Sequence, residues 1–252
     1  MNPKENGNET EVTEVLGLPF AKLTPKEAAR VAAEKIKKGG FYAVFTPGAT
    51  IHARAFRRKE EMRLLTAADL VLPDGQGVVL ASRLAGAPLD GRCAGISFAE
   101  CLLAMAEKGT RFFFYGGKEG VAAEAAARMK EKHPHLSFAW ACGYGKDPIS
   151  EILAFSPHIL FVCLGYPRQE EYILSHKSEL ACLCAGLGGS LDVWSGRVSR
   201  APVLLQKHGL EWVYRTLKEP RRISRLVPLP TYYLAAWRQG LKKRRKPSAD
   251  RG

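Results

Sequence analysis

The 252-residue chain is predicted to be an α/β protein, a mostly parallel sheet covered by helices on both faces. Short apolar runs at 41–45, 70–72, 111–115, 136–141, 158–164 and 181–185 have the length and the β-branched and aromatic content of buried strands. Helix-length segments separate them, and short turns, several rich in glycine, join the two kinds of element. Strands that alternate with helices in this way argue for a Rossmann-like parallel sheet.

Taken in order, residues 1–13 are polar and expected to be disordered. Thr24-Pro25-Lys26-Glu27 then joins an N-cap, a proline at the first helical position and a glutamate three after the cap. Gly39-Gly40 closes that helix, and a strand over 41–45 leads into Thr46-Pro47-Gly48. A helix over 51–67 delivers the chain to Leu70-Val71-Leu72, which Pro73 ends by withholding the amide a ladder needs. Asp74 therefore stands at a strand's carboxyl end, with a helix over 78–84 behind it. Ligands bind at such mouths, and an Asp in this position also caps helices.

A loop over 85–95 carries Arg92, and Ser97-Phe98-Ala99-Glu100 reads as a second capping box for a helix ending near Gly109. The strand over 111–115 is followed by Gly116-Gly117 and a helix over 119–132. That turn suits either close approach of a phosphate or plain tight packing. Next come a helix over 148–155 and a central strand over 158–164 that opens into Gly165-Tyr166-Pro167-Arg168-Gln169-Glu170, followed by a helix over 170–180. Behind the strand over 181–185 lies Gly188-Gly189-Ser190-Leu191-Asp192, and a last core helix is expected over 203–218.

Charge divides the chain into a core, 1–218, and an appendage, 219–252. From Arg215 to Gly252 twelve Lys or Arg stand against Glu219 and Asp250, which leaves only +3 of the formal +13 for the first 214 residues. Tyr232, Tyr233 and Trp237 lie beside the run 242–246, a mixture suited to an anionic membrane surface. The rival use of the same features is a nucleotide-binding module whose basic tail grips nucleic acid. No run reaches the roughly 18 apolar residues of a membrane span, and the acidic start is no secretion signal, so a cytoplasmic location is expected. The six cysteines lack metal-ligand spacing, no Asp-x-Asp pair is present, and neither metal nor cofactor is expected.

Thr46, Asp74 and Gln76, Arg168 and Gln169, and Asp192 all fall on loops that leave strands. Glycine turns and arginines in such a fold suggest a diphosphate-bearing ligand, with a carboxylate available as general base. A serine-nucleophile elbow is absent.

From about Val15 to Arg238 the chain resembles the bacterial WecG/TagA/CpsF glycosyltransferases. The matching pieces include Thr46-Pro47, Leu72-Pro73-Asp74-Gly75-Gln76-Gly77, Arg92 with Gly95, residues 165–170, Gly188-Gly189-Ser190-Leu191-Asp192, Arg200-Ala201-Pro202, 209–215 and Glu219-Pro220-Arg221-Arg222. The resemblance implies inverting transfer of N-acetylmannosamine or a related sugar from a UDP donor to N-acetylglucosaminyl-diphospho-undecaprenol, in assembly of a cell-surface polymer such as teichoic acid. It assigns Asp74 as base and Thr46, Arg92 and Gln169 as pocket residues. Arg215, Arg222 and Arg225 match an appendage that docks on the inner face of the plasma membrane and closes over the site. A homo-oligomer is compatible with it. Gly48 replaces the family's usual Asn and Ser97 its usual Asp, which leaves the two sugars open.

Overall fold

The computed structural model describes residues 10–199, 224 and 226–245. A six-stranded parallel sheet is formed by β3 (Tyr42–Phe45), β4 (Leu70–Val71), β5 (Arg111–Gly116), β6 (Ser137–Ala141), β7 (Ile159–Cys163) and β8 (Leu183–Gly186), in the order β4-β3-β8-β7-β5-β6. Neighbouring side chains along each strand enter opposite cores. Phe112 and Phe114 pack with Phe161 and Trp194 on one face, whereas Phe113 and Tyr115 join Leu160 and Val162 on the other.

The first face is covered by α1 (Pro25–Lys38), α5 (Gly95–Met105), α6 (Val121–Lys132) and α9 (Ser190–Trp194). The second carries α2 (Ala49–Phe56), α3 (Lys59–Thr66), α4 (Gln76–Leu84), α7 (Ile149–Phe155), α8 (Arg168–Ser175) and a C-terminal helix, α10 (Leu229–Arg245). The capping box of α1 forms as expected: Thr24 Oγ1 accepts from Glu27 N, and Glu27 Oε2 accepts from Thr24 N at 2.8 Å. Both otherwise orphaned amides are thereby satisfied.

Several local expectations are corrected. Residues expected to be frayed contribute to a hairpin, β1 (Val12–Val15) with β2 (Leu18–Ala21), whose turn residues Leu16 and Gly17 both have positive φ, 48° and 84°. Leu-Gly is a poor signal for such a turn, because leucine seldom adopts that conformation. The long helix over 51–67 is two helices, broken where Arg58 turns extended at φ −132°, ψ 108°. Glu61 gathers both sides of the break by pairing with Arg54 at 2.7 Å and Arg58 at 2.9 Å.

The second capping box is absent. Helix α5 starts at Gly95, so Ser97 lies inside its first turn, and Glu100 accepts from Trp194 Nε1 instead. The helix stops at Met105 rather than near Gly109, and α8 at Ser175 rather than near Leu180. Tyr232, expected at a lipid interface, is 1% exposed and shares the second core with Ala236. The reason is the course of α10, which runs beside α4 in the same direction. Its Tyr233 hydroxyl meets Gly77 at the start of α4, and Gly240 packs against Leu84 and Gly86 at its end. The helix expected over 203–218 and the residues Arg215, Arg222 and Arg225 lie outside the described residues.

Candidate active site

The loops leaving β3 and β4 meet. Leu72 N donates to Phe45 O at 2.8 Å, and two residues further on Gly48 and Asp74 form a parallel bridge. Asp74 is half-buried, and its Oδ2 accepts from the amide of Gly95, the first residue of α5, at 3.4 Å. The N-cap of α4 is Gly75, the residue after Asp74, so the carboxylate stands between the start of α4 and the start of α5. The Cys93 amide donates to Pro73 O at 2.8 Å, which pins the loop carrying Arg92 beside Asp74. Burial first, and then the charge of Asp74, push the Cys93 thiol up to about 12, so it stays protonated.

Thr46 bridges to the next strand, because its hydroxyl donates to Gly186 O at 3.0 Å. It also sits where a side chain at 95 would go: a Cβ on Gly95 would lie 2.7 Å from Thr46 Oγ1. Gln169 continues the chain of contacts beneath Gly186. Its Oε1 accepts from Gly165 N at 3.2 Å and Gly188 N at 2.9 Å, and its Nε2 donates to Glu170 Oε1 at 2.9 Å. A buried amide committed three times over holds the β7 and β8 loops in register. Glu170 is itself buried, its Oε2 has no hydrogen bond among the described residues, and desolvation pushes its carboxyl up to about 7.

The other predicted residues spread further along the mouth. Gln76 is exposed on the first turn of α4, and Arg92 is half-buried. Arg168 is exposed at the start of α8, and its charge acts on Tyr115 near the end of β5. Asp192 lies in α9, where its charge reaches Cys163 at the end of β7 and Arg197. The Gly116-Gly117 turn is closely packed. A Cβ on Gly116 would lie 2.4 Å from Cys163 O, and one on Gly117 2.7 Å from Val121. Those glycines permit backbone contact within the protein, the tight-turn alternative.

Residues 13–246 match the model of the glycosyl transferase WecG/TagA/CpsF family. The chain belongs to this family. It is 40% identical over 204 residues, 79% of each chain, to the N-acetylglucosaminyldiphosphoundecaprenol N-acetyl-beta-D-mannosaminyltransferase of Bacillus spizizenii. The protein of the same name from Staphylococcus aureus strain MW2 is 31% identical over 259 residues, 96% of this chain and 99% of that one.

For a WecG/TagA/CpsF glycosyltransferase, the grouping of Thr46, Gly48, Asp74, Gly95 and Arg92 places one carboxylate and one guanidinium-bearing loop at a common mouth. A carboxylate there can take a proton from a sugar hydroxyl, and cations can hold a departing diphosphate. Among the described residues no group of three or more His, Cys, Asp or Glu comes together as a metal site.

Sequence reasoning missed two supports of this family member's mouth. Tyr166 donates to Glu61 Oε2 at 2.9 Å and lies under the Arg54 guanidinium, 5.4 Å from the ring centre, which anchors the loop before Arg168. His52, fully buried in α2, pairs through Nδ1 with the Tyr232 hydroxyl at 2.8 Å. A single histidine in a helical stretch carries no sequence signal for a partner 180 residues away.

Proposed function

We propose that this chain transfers N-acetylmannosamine, or a closely related sugar, from a UDP-sugar to N-acetylglucosaminyl-diphospho-undecaprenol, inverting the anomeric centre. The similarity to the mannosaminyltransferases over nearly the whole chain carries the reading, and the position of Asp74 gives it a chemistry. Asp74 takes the proton of the acceptor hydroxyl as that oxygen bonds to the sugar's anomeric carbon. The bond to UDP breaks in the same step, and the diphosphate leaves with the electron pair. Arg92 and Arg168, with Arg215, Arg222 and Arg225 from the C-terminal part, stabilise its charge.

A lipid-linked acceptor supports a reaction at a membrane surface, which we assign to the inner face of the plasma membrane. No helix of the described residues is long and apolar enough to cross a membrane. The outer face of α10 supplies the contact instead: Leu234 and Trp237 are 44% and 49% exposed, and Lys242, Lys243 and Arg244 follow them. Apolar side chains and cations on one surface helix suit an anionic interface.

The test is incubation of the full-length chain with UDP-N-acetylmannosamine and a short-chain N-acetylglucosaminyl diphospholipid, with the product read by mass. One added N-acetylhexosamine is expected. Asp74→Asn should lower turnover by about 10²- to 10⁴-fold while the circular dichroism spectrum stays the same. Absence of transfer from any UDP-hexosamine would overturn the activity, and full turnover by the variant would remove Asp74 as base.

A further inference from the structure

The loop that carries Asp74 is braced from behind by two consecutive tyrosines of α10. At Gly77, in the first turn of α4, a Cβ would lie 2.7 Å from the Ala49 Cβ and 2.9 Å from the Tyr233 hydroxyl. The first residue of α2, the first turn of α4 and Tyr233 thus converge on a spot that only glycine can occupy. The same two segments touch at the mouth, where Gly48 bridges Asp74 and a Cβ on Gly48 would be 3.2 Å from the Asp74 carbonyl oxygen. Segments 48–49 and 74–77 are therefore in contact at both ends, and Tyr233 backs the rear contact.

Tyr232 fixes α10 to the other side of the same vertex. Its hydroxyl pairs with His52 Nδ1 at 2.8 Å, one turn into α2, and the His52 ring is held between Phe20 and Tyr232 with centroids 5.3 and 5.2 Å away. Adjacent side chains of one helix so grip the two helices whose first turns flank Gly48 and Asp74. We propose that Tyr232 and Tyr233 are positioning residues that hold the Asp74 carboxylate in its working place from behind its loop. This rests on the assignment of Asp74 as base. It extends that assignment by making the C-terminal helix part of the site's rigid support.

A purely structural role would give a different pattern from positioning. In the full-length chain, Tyr233→Ala should lower kcat for transfer to the short-chain acceptor about tenfold with KM changed less than about twofold, the signature of an effect on the reacting arrangement. Tyr232→Phe keeps the ring and loses only the hydroxyl, so it folds, and it should lower kcat about threefold or more. In an Asp74→Asn background each tyrosine substitution should change the residual rate by less than about twofold, because groups that act through one another are not additive. Hydrogen exchange supplies a readout free of activity: amides of 74–80 should exchange faster in both variants, while those of 159–163 stay as protected as in the parent. Equal loss in the two backgrounds, or unchanged exchange over 74–80, would overturn the proposal. If Asp74→Asn alone kept full turnover, the base assignment would fail by itself, and the exchange measurement would still decide whether α10 braces the loop.

Discussion

Replacing Gln169 by methionine keeps the length and volume of the side chain and removes its amide. Three hydrogen bonds are lost, two from the backbone amides of Gly165 and Gly188 and one to Glu170. The glycine amides are only half-buried, so each lost bond costs about 1 kcal/mol, whereas the buried Glu170 carboxyl loses its partner at about 1–2 kcal/mol. The sum is roughly 3 kcal/mol, which for a chain of this size lowers the melting temperature by about 6–12 °C. A urea titration followed by circular dichroism measures the first figure and a thermal melt the second. A side chain whose purpose was to touch substrate would leave both unchanged. Parent-like stability in Gln169→Met, with transfer alone impaired, would therefore refute the conclusion that this amide holds the two loops together.

Acidification should weaken the fold through His52. Burial lowers it from about 6.5 to about 4, so the unfolded chain takes up a proton below about 6.5 that the fold refuses until about 4. Stability contributed above that window is lost as the pH falls through it, by up to about 3 kcal/mol, and His52→Gln should lose less between pH 7.5 and 4.5 than the parent. Glu170 works in the opposite sense: its carboxyl is raised from 4.5 to about 7, so keeping it buried becomes costlier as the pH rises through that range. The difference between parent and variant isolates the histidine. Ending the chain at Lys218 removes Tyr232 and Ala236 from the second core, and emptying one large aromatic site alone costs about 3–5 kcal/mol; cooperative melting of the truncated chain at the parent temperature would contradict this. Leu234→Glu combined with Trp237→Glu changes only exposed positions and should abolish co-sedimentation with phosphatidylglycerol vesicles while the melt is kept. Parent binding should itself weaken with salt, since charges are screened over about 8 Å at physiological ionic strength, and undiminished binding by the double variant would remove α10 as the contact.

What the amino-acid sequence determined by itself was local. Thr24, Pro25 and Glu27 dictate the start of α1 because a cap and its reciprocal bond lie within one turn, and the capping box duly forms. The apolar runs dictate the six parallel strands, and Pro73 after Leu72 already marks Asp74 as a strand-exit residue. Where a local signal was incomplete, the expectation failed: Ser97 and Glu100 have capping-box spacing, yet behind the bond from Cys93 N to Pro73 O the N-cap is Ala94 and α5 begins three residues earlier. Tertiary structure decided the rest. Strand order puts β4 at the sheet edge beside β3, which is what joins Asp74 to Gly48, and it lets Gln169 bind two loops at once. Tyr232 and Trp237 look alike in the sequence, each an aromatic of the basic C-terminal stretch. Only the docking of α10 along α4 turns one into the core, onto a histidine 180 residues away, and leaves the other in solvent, because burial depends on which helix face meets a neighbour, and no short stretch of chain contains that neighbour.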